Sequence, residues 1–255
     1  MDDIILFNRN IYLDLLAFLY NDVGMIRLCV FDMDGLLLDS ERQMYVKCGM
    51  ETAQELGKPV EYSFLTSLMG GSWENYEKRL LETYGDDYPM KEYWDIYWSK
   101  VNYIIENITI PPRPGVRELL QYCKDNGIKM AVATSSTKYA AETCLGHAGI
   151  LEYFDHIVSG DMVVNKKPHP EVFLKAIEHF DIPVNEALVF EDGHYGAQAA
   201  INGKIRFIMV QDLAELSDED INKAEMVTDD ISKAIEYIKK ENEGTSGIQI
   251  KTQDA

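Results

Sequence analysis

Five short apolar runs recur along the chain: Leu28–Phe31, Lys129–Ala133, His156–Ser159, Ala187–Phe190 and Ile205–Val210. None alternates with polar residues, so each predicts a strand buried on both faces. Helical patterns stand between them, such as Val116–Asn126, stopped by Gly127, and Glu171–Phe180, opened by Pro170. Strands alternating with helices predict a doubly wound α/β fold, a parallel sheet with helices on both faces. Ligands of such sheets sit beyond the carboxyl ends of the strands.

A different stretch separates the first strand from the rest. Residues 39–112 read as helices over Glu41–Leu56, Trp73–Tyr84 and Lys91–Asn107, punctuated by Gly57, Gly70, Gly71 and Pro89. Pro111-Pro112-Arg113-Pro114-Gly115 then makes a stiff return. The expected organisation is a core domain of residues 25–38 and 113–240, an inserted α-helical cap of 39–112, and a flexible tail of 241–255. Residues 1–24 form an N-terminal extension. Ile4–Tyr20 reads as an amphipathic helix, broken by Arg9 and Asp14 and too short in its uncharged part to cross a bilayer. With Asp2 and Asp3 at the start, it does not read as a signal peptide. Equally, the native start could be Met25, directly before the first strand.

Charge and cysteine content narrow the function. The 255 residues carry a net charge of −19, which argues against nucleic acid or an anionic membrane as partner. An anionic substrate must then be held by a local pocket or a bound cation. The 4 cysteines, Cys29, Cys48, Cys123 and Cys144, are scattered without a C-x-x-C pair, so neither zinc nor a disulfide framework is indicated. Reduced thiols in a cytoplasmic protein, monomer or weak dimer, are the expectation.

Four groups of polar residues follow strand ends. Asp32 and Asp34, in Phe31-Asp32-Met33-Asp34-Gly35, can both face the crevice if the chain turns at Gly35. An ionised Asp is a competent nucleophile and a hard oxygen ligand, and a second can protonate a leaving oxygen. Thr134-Ser135-Ser136 offers hydroxyls and N–H groups for phosphoryl oxygens, or simply a helix cap. Lys167, in Lys166-Lys167-Pro168-His169-Pro170, can bind phosphate and relieve repulsion among carboxylates, or stand on the surface. Glu191 and Asp192 would complete an oxygen site for Mg²⁺. Acid pairs are common in this chain, and Asp218-Glu219-Asp220 reads only as a solvated acidic face or a helix start. The order acid pair, hydroxyl, lysine, acid pair, each at a strand end, is what is specific.

Together these motifs resemble the haloacid dehalogenase superfamily, in the branch with a helical cap after the first motif that includes β-phosphoglucomutases and sugar-phosphate phosphatases. The resemblance runs from about Met25 to Lys240 and includes Lys167-Pro168-His169-Pro170-Glu171-Val172-Phe173. It implies an Mg²⁺-dependent phosphatase of a small phosphorylated metabolite, such as a sugar phosphate or nucleotide-like monophosphate. Asp32 would be the nucleophile that forms an aspartyl-phosphate, and Asp34 the acid/base. Thr134, Ser135 and Lys167 would hold the phosphoryl group. Asp32, the backbone carbonyl of Asp34, Glu191 and Asp192 would hold the metal.

Departures from the family pattern also inform. The mutases of the branch have a cap histidine ten residues after the second Asp, where this chain has Met44, and the loop Leu68–Trp73 lacks Lys and Arg. Hydrolysis is therefore the default over mutase activity. Dehalogenation needs neither the second Asp nor a metal. A non-catalytic regulatory protein on the same fold is the alternative from another class. Gly193 stands where the branch often has Ser, and His194 lies either near the substrate or on the rim. Met44, Tyr45, Gly70, Gly71 and Trp73 either line the substrate face of the cap or pack its core.

Overall fold

The computed structural model describes residues 24–69 and 73–246. The readings made for Ile4–Tyr20, for Gly70 and for Gly71 lie outside them. The apolar runs become β1 (Leu28–Phe31), β2 (Lys129–Ala133), β3 (His156–Val158), β4 (Ala187–Glu191) and β5 (Arg206–Val210), and β6 (Met226–Thr228) completes the set. All pair in parallel, in the order β3-β2-β1-β4-β5-β6.

Successive side chains of each strand enter opposite cores. Cys29, Phe31, Met130, Val132, Leu188 and Phe190 pack on one face, and Leu28, Val30, Ala131, Ala133, Ala187 and Val189 on the other. This is why the runs are continuously apolar rather than alternating. The first face is covered by α5 (Val116–Asp125), α6 (Lys138–His147) and α10 (Ala234–Ser246), the second by α7 (Glu171–Glu178) and α8 (His194–Asn202). Strand order reverses on either side of β1, which places the crevice over its carboxyl end.

Between β1 and β2 the chain is helical: a π-helical stretch Glu41–Val46 runs into α1 (Lys47–Glu55), followed by α2 (Tyr62–Thr66), α3 (Trp73–Tyr84) and α4 (Met90–Asn107). Its interior is aromatic. Tyr76, Tyr93 and Tyr97 are buried, and the hydroxyls of Tyr76 and Tyr93 meet at 2.5 Å. The segment leaves and rejoins the sheet side by side, through an antiparallel bridge between Leu38 and Pro112.

Two expectations need correction. The chain is not a loose tail from Glu241: α10 continues to Ser246, because Glu241 takes Arg206 at 2.5 Å and Asn242 accepts from the Ile26 N–H at 2.7 Å. Asp218-Glu219-Asp220 does open a helix, α9 (Asp218–Lys223), but its face is not solvated throughout, since Asp220 is fully buried. No helix among the described residues is long and apolar enough to cross a membrane.

Candidate active site

Asp32 is the first residue past β1, and its N–H donates to the Phe190 carbonyl at 3.0 Å, which keeps it level with the end of β4. On the other side the Thr134 N–H donates to Val158 O at 3.0 Å at the end of β2. The parallel register therefore brings Asp32, Thr134 and Glu191 to one edge.

Lys167 reaches into this edge from the β3–α7 connection. Its ammonium donates to Asp32 Oδ1 at 2.5 Å, to Glu191 Oε1 at 2.6 Å and to the Ala133 carbonyl at 3.2 Å. The three side chains are only 7%, 9% and 3% exposed for Lys167, Asp32 and Glu191. The surface reading of Lys167 therefore fails, while Lys166 does lie exposed. Phe173 closes one side, its ring centroid 4.8 Å from the ammonium.

Burial raises the Asp32 carboxyl above its ordinary value; Lys167 opposes this, while Glu191 and Asp34 add to it. Burial alone would lower Lys167, but the carboxylates of Asp32 and Glu191 outweigh it and hold the ammonium charged. Asp192 is raised by burial first, then by Glu41, Glu191, Asp32 and Asp212. The ammonium thus pairs with two carboxylates while a third, Asp192, stands beside them, an arrangement that calls for another cation.

The geometry fits one. Asp32, Glu191 and Asp192 each offer an oxygen, all within 4.8 Å of one another. Opposite ligands of an octahedral Mg²⁺ stand about 4.2 Å apart, so small side-chain shifts suffice. Two glycines make room for these carboxylates. Gly35 has φ +86°, and a Cβ there would collide with the Asp192 carboxylate; at Gly196 a Cβ would strike Glu191.

The turn at Gly35 sends Asp34 toward the same edge. Its Oδ1 accepts from the Ser40 hydroxyl at 2.6 Å and its Oδ2 from the Ser136 hydroxyl at 2.7 Å. Burial raises this carboxyl, and the two hydroxyls work against the rise. The Asp34 carboxylate is not part of the acidic trio of Asp32, Glu191 and Asp192.

Thr134 is buried, and its Oγ1 accepts from the Ser136 N–H at 3.0 Å. The cap of α6 is Thr137, which accepts from the Ala140 N–H, so Thr134 is free of the capping role. Ser135 is exposed. Ser136, read with Thr134 and Ser135 as an offer of phosphate-binding groups, instead holds Asp34, together with Ser40, which nothing in its spacing marks.

His194 opens α8 with its side chain 43% exposed and Nδ1 2.7 Å from Asp220 Oδ2. It is held by Asp220, the third residue of α9. Met44, only 1% exposed, belongs to the core; as a candidate for the substrate face it is corrected, because the π-helical stretch turns it inward. Tyr45 does face the sheet edge, its hydroxyl 3.4 Å from Ser136 Oγ, and Trp73 packs edge-on against it with centroids 5.8 Å apart.

Known proteins are similar to this chain in sequence and fold. The haloacid dehalogenase-like hydrolase family matches residues 29–210. A phosphorylated carbohydrates phosphatase of Thermotoga maritima is 31% identical over 70% of this chain and 82% of its own length. The chloroplastic protein SUPPRESSOR OF QUENCHING 1 of Arabidopsis thaliana is 31% identical over 83% of this chain, which spans only 20% of that protein. Among solved structures, a β-phosphoglucomutase of Clostridium difficile is 28% identical with a TM-score of 0.67, covering 88% of this chain and all of its own. With these matches and the four motifs gathered at one sheet edge, the chain belongs to the haloacid dehalogenase-like hydrolase family.

Proposed function

We propose that this enzyme hydrolyses the phosphoric monoester of a small metabolite, a sugar phosphate or nucleotide-like monophosphate, through an aspartyl-phosphate on Asp32. The observation that carries the reading is the Lys167 ammonium buried between Asp32 and Glu191, with Asp192 beside them and Asp34 at the same edge. An anionic nucleophile must attack an anionic phosphate, so positive charge has to be fixed in advance where the phosphoryl group docks. Mg²⁺ held by Asp32, the Asp34 carbonyl, Asp192 and Glu191 would supply further neutralisation.

In the first step an Asp32 carboxylate oxygen bonds to phosphorus as the ester P–O bond breaks. Asp34, its carboxyl raised by burial, gives its proton to the departing oxygen. In the second step Asp34 takes a proton from water while that water attacks phosphorus. Asp32 returns to carboxylate and inorganic phosphate leaves. Lys167 holds the phosphoryl oxygens throughout, assisted by Thr134 and Ser135. Residues 39–112 form a cap that closes over this edge and excludes bulk water.

The test is phosphate release across sugar phosphates, nucleotides and phosphorylated cofactors, with Mg²⁺ and with EDTA. Metal-dependent release by the wild type and none by Asp32→Asn is expected. Release by Asp32→Asn at the wild-type rate, or conversion of a sugar 1-phosphate to its 6-phosphate without free phosphate, would overturn the reading.

A further inference from the structure

The two passages between the sheet and residues 39–112 converge on one carboxylate. Asp212, two residues beyond β5, is 3% exposed and accepts from two arginines. Arg42, in the π-helical stretch on the outgoing passage, places Nη2 at 2.7 Å from Oδ1 and Nη1 at 2.9 Å from Oδ2. Arg113, on the return passage, places Nη1 at 3.0 Å from Oδ2 and also donates to the Gly35 carbonyl in the turn that carries Asp34. The Arg113 N–H donates to Leu37 O at 3.0 Å, so the two passages are also tied to each other by backbone.

We propose that Asp212 is a positioning residue, a latch that holds the helical segment shut over the acid pair through Arg42. The inference rests on the hydrolytic reading only for what closure accomplishes. Arg113 and Asp212 both belong to the sheet side of the bridge between Leu38 and Pro112, whereas Arg42 travels with the helices. Any outward swing of the segment must therefore break the Arg42 pair while the Arg113 pair survives. Charge-assisted, doubly engaged carboxylates in poorly solvated surroundings are strong enough to bias such an equilibrium. The arrangement seen is the shut one: the Tyr45 hydroxyl lies 3.4 Å from Ser136 Oγ, and Asp32 is 7% exposed.

Asp212 has a second set of neighbours, since its carboxylate, Glu41 and Asp192 bring one oxygen each within 4.8 Å of one another. Neutralising Asp212 therefore also alters the field at Asp192. Neutralising Arg42, whose side chain is 38% exposed, leaves the Asp192 neighbours in place but also releases Asp39, 3.1 Å from Nη1, so the Asp212→Asn variant, which keeps that pair, is read beside it.

The test compares amide hydrogen exchange in the full-length wild type, Arg42→Gln, Asp212→Asn and the double variant, without substrate. Exchange over Glu41–Val46 is expected to quicken roughly 10-fold in each, with β1 and β4 unchanged, and the double variant is expected to match Asp212→Asn. Where the wild type hydrolyses p-nitrophenyl phosphate, KM in Arg42→Gln is expected to rise about 10-fold, because only the shut fraction binds productively. Unchanged exchange over Glu41–Val46, or faster exchange spread equally through the sheet, overturns the latch. Local acceleration in a protein that hydrolyses nothing leaves the latch standing and removes the hydrolytic reading instead.

Discussion

The Ser136 hydroxyl donates to Asp34 Oδ2 at 2.7 Å, across 102 residues of sequence. The Ser40 hydroxyl occupies the other oxygen. The carboxyl proposed to give and then take a proton is thus fixed in direction by two donors from separate segments. Ser136→Ala removes one of them without touching the trio of Asp32, Glu191 and Asp192. It is expected to lower kcat by roughly 10-fold while KM moves less, since general acid–base catalysis depends on geometry as well as pKa. Steady-state kinetics on any accepted ester decide it, and an unchanged kcat would remove Ser136 from the account.

Lys167 is the counter-charge for two buried carboxylates, so its loss should cost stability as well as activity. Lys167→Met leaves Asp32 and Glu191 facing each other, and breaking a buried ion pair by removing one partner costs about 3–5 kcal/mol. Urea unfolding is expected to show a loss of that order. Adding Asp32→Asn to the same chain should recover part of it, because one of the two stranded charges is gone. If the double variant is less stable than Lys167→Met, the ammonium is not what holds these carboxylates together.

Metal binding should appear in the folding equilibrium before any turnover is measured. A ligand of the native state alone adds about 2.7 kcal/mol at 100 times its Kd. Mg²⁺ is therefore expected to raise the melting temperature in a concentration-dependent way, and Asp192→Asn to blunt that rise. Asp229→Asn serves as the control, since Asp229 pairs with the exposed Lys233 side chain. Equal responses in both variants would place the ion elsewhere.

Much of this was legible in the sequence because the strands are buried on both faces and therefore continuous. The extents of β1 and β2 agree with the apolar runs residue for residue. The strand β6 escaped because Met226-Val227-Thr228 is short, lies at the sheet edge and leaves Val227 exposed. Asp32, Lys167 and Glu191 were legible because their motifs follow strand ends, where a parallel sheet gathers them. The roles of Ser136, Asp212 and Asp220 were not, because each acts through a contact with a distant segment and no local spacing encodes which carboxylate is buried. Ser40 lies near Asp34 in sequence but has no pattern that marks it. Met44 shows the converse limit: helical spacing left both ligand and core open, and the structure puts it in the core.

Asp220 carries the last prediction. Its carboxylate is fully buried and takes His194 Nδ1 at 2.7 Å, Gln198 Nε2 at 2.9 Å and the Ser217 N–H at 2.9 Å. Burial by itself would raise this carboxyl, but the His194, Gln198 and Ser217 hydrogen bonds outweigh it and leave it below its ordinary 3.8. A depressed folded-state value means that the unfolded chain binds the proton more readily. The stabilisation is therefore fully present above pH ~4 and is lost as pH falls through the lower, folded-state value. Asp220→Asn lacks it at every pH, and the loss of a buried, charge-assisted hydrogen-bond set is worth about 1–3 kcal/mol. The stability gap between wild type and variant, from urea midpoints, should be constant between pH 5 and 7 and shrink toward pH ~3. A gap that widens on acidification would mean that the folded protein holds Asp220 protonated, and that His194 is oriented by a neutral acid rather than a carboxylate.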